Sequence, residues 1–303
     1  MSAGRVTEGM LGRRLLSDLR GSTHRIATAQ RQIASGRRID KPSDDPLATH
    51  NALRLRSELA GIEQDKRTID DTKGWIDTTD SALATITETV HRARELALQG
   101  ANGSIGQTER NKLADEIDQL IETAKSAANS SYGGRFVLAG TDTADPPYSP
   151  GAVDAYDGDT GTIARQIGPG VSVQINIHGV DILGNGGAAE SPPKLLSTLR
   201  TLAADLRGGN LNGLRTTALN SLSKNLEDVT SARGTIGALS TRLDAAEARL
   251  AQVEESTTSL LSETEDADIA KAMIDLTTQQ SVYQAALRSG QSLIQPSLLD
   301  FLR

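Results

Sequence analysis

Between Leu55 and Ala97 the chain reads LRSELAGIEQDKRTIDDTKGWIDTTDSALATITETVHRARELA, and Leu55, Ile62, Ile69, Ile76, Leu83, Val90 and Ala97 recur in it every seven residues. Leu59, Ile86 and Ala93 join the same stripe. With 37% of the residues hydrophobic, seven hits in one register arise by chance about once in a thousand trials. The spacing therefore predicts one long helix over about 45–100, whose apolar seam needs a partner helix. Gly61 and Gly74 are its soft points.

A second stripe supplies that partner. Leu222, Val229, Ile236, Leu243 and Leu250 repeat at seven, accompanied by Ala232, Leu239, Ala246, Val253 and Leu260. Between the two, Leu113, Ile117, Leu120, Ile121, Ala124 and Ala128 mark a shorter amphipathic helix, set off from the first by GANGSIGQTER, Gly100–Arg110. Aromatic residues make up only 2% of the chain, which suits a narrow bundle core of Ile, Leu and Ala.

Both ends repeat the pattern on a smaller scale. Leu19, Ile26 and Ile33 recur at seven, preceded by Leu11, Leu15 and Leu16. Near the other end Ile269, Met273, Leu276, Gln280, Tyr283, Leu287, Gly290 and Ile294 alternate spacings of four and three, a coiled-coil seam with two weak members. A short terminal helix with one apolar stripe is marginal alone and needs a partner helix, its own or a neighbour's.

The stretch SGRRIDKPSDDP, Ser35–Pro46, separates the first terminal helix from the long one. Gly36 stands where a left-handed cap belongs, and Pro42 forbids continuation of the helix. Asp45 followed by Pro46 reads as an N-cap with proline in the first turn, and Asp44 suits the positive start of that helix. The segment is a stop, a linker and a start, compatible with a further role in subunit contact. No histidine accompanies Asp40, Asp44 and Asp45 in the sequence, so neither a metal centre nor catalysis is read there.

From Tyr132 to about Glu190 the helical spacing disappears and glycine and proline become frequent. Arg135–Leu138 and Val171–Ile177 read as strands, the second by its apolar–polar alternation. Asp157-Gly158, between Tyr156 and Asp159, reads as a tight turn. Helical spacing resumes after Pro192-Pro193. The fold class is mainly α: an elongated antiparallel helical bundle or coiled coil formed by both chain ends, with a small inserted β-rich domain. The expected domains are a terminal coiled coil of 1–40 and 265–303, a rod-like bundle of 41–134 and 191–264, and the β-rich insert of 135–190.

Other chemistry is sparse. A formal net charge of −7 with scattered basic residues argues against a broad nucleic-acid surface. The absence of cysteine removes disulfides and zinc–thiolate sites. No stretch approaches the ~18 apolar residues of a membrane span, so no membrane partner is expected. The first thirty residues lack the apolar run of a cleavable signal peptide. His24, His50, His91 and His178 have no HExxH spacing. Asp154, Asp157 and Asp159 lack the spacing and closing glutamate of a calcium loop. GNGGA, Gly184–Ala188, follows no βαβ unit, and Trp75 reads as rod packing. With no convergent nucleophile, base or cofactor motif, no enzyme activity and no cofactor are expected.

Five motifs, in order along the chain, carry a resemblance. IASGRRIDKPSDDP, Ile33–Pro46, resembles the amino-terminal signature of the flagellin and hook-associated protein 3 family. GGRFVLAGT, Gly133–Thr141, is similar to that family's Gly-Arg-aromatic stretch, with Leu138 where phenylalanine is usual. Tyr156-Asp157-Gly158-Asp159 resembles its Tyr-x-Gly-Asp turn, and EDADIAKA, Glu265–Ala272, and SLLDFLR, Ser297–Arg303, complete the series.

The resemblance implies a structural subunit of the bacterial flagellum, outside the cell, exported by the flagellar type III apparatus without a cleavable signal peptide. Within the family, the KPSDDP variant points toward a ring between hook-associated protein 1 and the first flagellin subunits; a filament-forming flagellin is the alternative. The implied partners are hook-associated protein 1, flagellin, further copies of this chain in a ring, and an export chaperone on the carboxy-terminal helix. The expected contact residues are Leu19, Ile26, Ile33, Asp44, Asp45, Ile269, Met273, Leu276, Tyr283, Leu287, Ile294, Leu298 and Leu299. Gln279, Gln280 and Tyr283 suit either coiled-coil register or chaperone contact.

Overall fold

The computed structural model describes residues 8–186 and 191–294. Helices dominate: α1 (Glu8–Ser35), α2 (Pro46–Gly100) and α3 (Gln107–Ala128) come first. Four short strands follow, β1 (Ser131–Tyr132), β2 (Arg135–Phe136), β3 (Ala164–Gly168) and β4 (Val171–Gln174). The chain then forms α4 (Gly179–Leu183), α5 (Leu195–Gly208), α6 (Leu211–Gly213), a π-helical turn at Leu214–Ala218, α7 (Leu219–Glu265) and α8 (Ile269–Ile294). It divides into two compact units, one of Met1–Gly61 with Val253–Arg303 and one of Ile62–Gln252.

In the unit Ile62–Gln252 the heptad stripes are the core. Ile62, Ile69, Ile76, Leu83, Val90 and Ala97 of α2 are all buried, as are Leu222, Val229, Ile236, Leu243 and Leu250 of α7. Each Leu or Ile so covered contributes about 1.5–3 kcal/mol before entropy is subtracted. Ion pairs fix the antiparallel register: Lys73 Nζ reaches Asp244 at 2.6 Å and Glu247 at 2.5 Å, and Arg233 Nε meets Asp80 at 2.9 Å. Hydrogen bonds to those two carboxylates raise the Lys73 pKa above the ordinary lysine value.

The other helices complete this core. α3 buries Leu113, Ile117, Ile121, Ala124 and Ala128. α5 packs against it with Leu195, Leu196, Leu199, Leu202 and Leu206. Ala232, Leu239 and Ala246 are only partly covered, as flanking heptad positions are. Past residue 252, by contrast, Val253 and Leu260 are 36% and 50% exposed, contrary to the sequence expectation. The line through Leu222–Leu250 continues to buried Thr257, seven residues after Leu250, while the flanking line of Val253 and Leu260 stays open.

Among the described residues the strands between α3 and α5 form two hairpins rather than one sheet. β1 pairs antiparallel with β2 around Gly133-Gly134, both at positive φ as a two-residue turn demands. β3 pairs antiparallel with β4 across a bulge between Gln166 and Gly168. The predicted strands are shorter than their apolar runs: Val137 and Leu138 leave β2 and enter the core, and β4 ends at Gln174. Asp157-Gly158 does not reverse the chain as a tight hairpin turn would. Its neighbourhood pairs laterally instead, Asp157 N donating to Pro147 O at 2.9 Å and Asp159 N to Ala139 O at 3.0 Å.

A buried ion cluster ties these loops to the helices. Lys125, 1% exposed, places Nζ 2.5 Å from Asp154 and donates to the carbonyls of Gly151 and Val153 at 2.7 and 2.8 Å. Arg200 of α5 takes both Asp154 oxygens, at 2.8 and 3.0 Å. Burial alone would push the Asp154 carboxyl up, but Arg200 and Lys125 together hold it below its ordinary value.

Candidate assembly surface

The unit formed by residues 1–61 and 253–303 starts from two chain stops. α1 ends at Ser35, and Gly36 takes φ +71 while its N–H bonds Gln32 O at 2.9 Å. α2 begins at Pro46, capped by Asp45 Oδ1, which accepts from Ala48 N at 3.0 Å. Asp44 does something the sequence did not suggest. Its Oδ2 accepts from Lys41 N at 3.1 Å and Asp40 N at 3.4 Å, so it staples the linker turn. On the carboxy-terminal side Asp268 Oδ1 accepts from Lys271 N at 3.0 Å and starts α8.

These two linkers, read separately in the sequence, lie side by side. Arg38 N donates to Glu265 O at 2.7 Å and Ala267 N to Gly36 O at 2.9 Å, around an antiparallel bridge between Arg37 and Asp266. The Glu265 side chain, 8% exposed, accepts from Arg37 Nε at 2.7 Å and from Arg56 Nη2. Arg38 Nη2 reaches Thr264 O at 2.7 Å. Arg37, Arg56 and Glu265 were missed as site residues. The one available signal was Glu265 heading EDADIAKA, a carboxylate with arginines in the other quoted linker.

α1 packs on α8, its main neighbour. On α1 a line of half-buried or buried positions runs through Leu15, Leu19, Ser22, Ile26, Ala29 and Ile33, with Gly21, Thr28, Arg31 and Gln32 beside it; on α8 the covered positions are Ala272, Leu276, Gln279, Tyr283, Ala286 and Gly290. Both follow spacings of four and three. Arg25 Nε donates to Gln279 Oε1 at 3.0 Å, and a side chain at Gly290 would meet Leu15 Cδ2 at 2.7 Å. At that point a bulky residue of α1 sits on the smallest residue of α8.

The predicted contact residues accordingly divide. Leu19, Ile26, Ile33, Leu276 and Tyr283 fall in the internal seam. Ile269, Met273 and Leu287 do not: they are 39%, 55% and 42% exposed, with Ile274 and Val282 also outward. The single seam expected on α8 therefore resolves into a covered line of mixed small and large residues and an open apolar face beside it. The Ile294 side chain, Leu298 and Leu299 lie outside the described residues.

Two further motifs meet in the other unit. Tyr156 Oη lies 3.0 Å from Leu138 O, and Asp159 accepts from Thr141 N at 2.5 Å, from Thr141 Oγ1 and from Gly161 N at 3.0 Å. The Thr141 hydroxyl, then the backbone amides of Thr141 and Gly161, hold the Asp159 carboxyl down at about 2. Burial, with the charges of Asp159 and Asp181, pushes the Tyr156 phenol up to about 12. Gly140 is at φ +80, and a side chain there would sit 2.1 Å from Asp159 O. GGRFVLAGT and Tyr156–Asp159 are two halves of one knot.

No group of three or more His, Cys, Asp or Glu among the described residues could hold a metal ion. No described helix is long and apolar enough to cross a membrane. The family profile of the bacterial flagellin N-terminal helical region matches residues 10–143, and that of the C-terminal helical region matches residues 219–302. A flagellar filament 31.3 kDa core protein of Treponema maltophilum is 24% identical over 84% of this chain and 83% of its own length. Flagellar hook-associated protein 3 of Salmonella typhimurium is 25% identical over 59% of this chain and 56% of its own length. The crystal structure of flagellar hook-associated protein 3 from Legionella pneumophila superposes with a TM-score of 0.60 at 14% identity, covering 69% of this chain and 97% of that one.

Proposed function

Because the chain belongs to the bacterial flagellin family, we propose that it is a structural subunit joining the flagellar hook to the flagellin filament. The observation that carries this reading over others in the family is the likeness to hook-associated protein 3, which spans 97% of the Legionella chain. In this role the protein leaves the cell through the flagellar type III apparatus and forms a ring of its own copies. Hook-associated protein 1 contacts one side of the ring and flagellin the other.

The terminal unit, 1–40 with 265–303, would form the assembly element. Leu19, Ile26, Ile33, Leu276 and Tyr283 hold α1 on α8, and Ile269, Met273 and Leu287 face neighbouring subunits; Ile294, Leu298 and Leu299 are assigned to subunit contact from the sequence alone. Asp44 and Asp45 keep the linker in shape for it. Burying the open residues on a neighbour offsets the entropy of ordering the ends. An export chaperone shields the same face of α8 before secretion.

The test is a strain lacking the gene. Bare hooks with flagellin released into the medium support a junction subunit; filaments of normal length on those hooks reject it. Removal of 269–303 should abolish both chaperone binding and incorporation. A second reading, a filament subunit, is favoured by the match to the Treponema filament protein across 84% of this chain. Bulk filaments grown from the purified protein alone would select it.

A further inference from the structure

The turn joining α2 to α3 contains Asn102-Gly103, one of three Asn-Gly pairs in the described residues, with Asn185-Gly186 and Asn212-Gly213. An asparagine followed by glycine can react with its own backbone, because the missing Cβ lets the next amide nitrogen approach the side-chain carbonyl. Whether it does depends on local geometry, and the three pairs differ sharply.

At Asn102-Gly103 everything favours the approach. Both residues are exposed. The Asn102 Oδ1 atom accepts from Ser104 N at 3.1 Å and Ser104 Oγ at 2.9 Å. Two donors on that oxygen polarise Cγ and stabilise the negative charge that develops when a nucleophile adds. Among the described residues Gly103 N donates no hydrogen bond, so the nucleophile is free. The Arg215 guanidinium is anchored on Ala101 O at 2.8 and 3.1 Å, with Nη2 3.9 Å from where a Gly103 Cβ would stand. A fixed cation there eases loss of the amide proton.

The other pairs are restrained. Gly213 N donates to Asn210 Oδ1 at 3.0 Å, which occupies the nucleophile. Asn185 Oδ1 is held by Tyr156 N at 2.8 Å, and Gly186, at φ +66, lies against the Asp154 main chain. Rotation of either partner there disrupts a packed loop.

We propose that Asn102-Gly103 is a self-modifying site, at which the folded protein converts its own asparagine to aspartate and isoaspartate. The Gly103 nitrogen gives its proton to water and bonds to Asn102 Cγ; water returns a proton to Nδ2, the Cγ–Nδ2 bond breaks and ammonia leaves. Water then adds to either carbonyl of the cyclic imide and opens it, to aspartate in one case and isoaspartate in the other. No oxidant, metal or second protein takes part. The product places a carboxylate beside Arg215, at the junction of α2, α3 and the π-helical turn.

The experiment ages the purified full-length chain at mildly alkaline pH and follows each Asn-Gly peptide by mass spectrometry, with isoaspartate counted by enzymatic methylation. Folded and urea-unfolded samples are compared. Asn102 should convert several-fold faster than Asn185 and Asn212 in the folded chain, and the three should converge when unfolded. Ser104→Ala and Arg215→Gln should each slow Asn102 several-fold in the folded chain and change nothing in the unfolded one. Equal folded rates at the three sites overturn the proposal, as does a folded rate at Asn102 below its unfolded rate. If both variants keep the full rate, the assigned activation is wrong.

Discussion

Replacing Glu265 by alanine strips the linker clasp of its centre while leaving both helices their sequence. The side chain is 8% exposed and accepts from Arg37 and Arg56, which are 53% and 41% exposed. Hydrogen bonds to a charged group are worth ~1.5–3 kcal/mol each when removed, but water replaces much of what half-exposed arginines lose. The net cost is therefore about 2 kcal/mol in total. The backbone bonds Arg38 N to Glu265 O and Ala267 N to Gly36 O report on it directly. Hydrogen exchange of those amides tracks the local opening equilibrium, so at tenfold per 1.4 kcal/mol the variant should exchange them about thirty-fold faster. The amide of Ile117, in the core of the other unit, serves as reference and should hold its rate. Glu265→Gln, which keeps the acceptor oxygen and loses the charge, should fall between. Unchanged protection at Arg38 and Ala267 in the alanine variant refutes the clasp, and equal acceleration at Ile117 shows a global effect instead.

Leu243→Ala removes a fully buried side chain from the α7 stripe and should cost ~2–5 kcal/mol, seen as a lower urea midpoint with the m-value retained. The Asp159 carboxyl, at about 2, lies below the ordinary aspartate value of about 3.9, so its stabilisation is complete above that pH and lost as pH falls through about 2. Protection of the Thr141 amide should follow that acid limb, and Asp159→Asn should flatten it. Met273→Ser with Leu287→Ser alters only outward residues of α8 and should leave thermal unfolding within about 0.5 kcal/mol of the parent. Incorporation into flagella should nonetheless drop several-fold; wild-type motility of the double variant would count against the open face.

The helical plan was legible because an α-helix brings every seventh residue to nearly the same face, whatever stands opposite. Leu55–Ala97 and Leu222–Leu250 announced their buried lines, and Gly36 and Asp45 announced the stops, through backbone rules that need no tertiary partner. The β-rich region was legible as a change of character but not in its pairing. There Asp157-Gly158 was read as a local turn, whereas its hydrogen bonds run to Pro147 and Ala139, far away in sequence.

What the sequence alone determined, then, was periodicity, element ends and the family to which the motifs point. Only the tertiary structure chose between two neighbouring lines on α8. One carries Ile269, Met273 and Leu287, the other Ala272, Leu276, Gln279, Tyr283, Ala286 and Gly290. The fold covers the second, and at one point the reason is steric: Leu15 of α1 lies over Gly290, where a Cβ would come within 2.7 Å of Leu15 Cδ2. Ile269, Met273 and Leu287 are left outward. It also took the fold to set Glu265 beside Arg37 and Arg56, since an ion pair between distant segments has no periodic trace in either one.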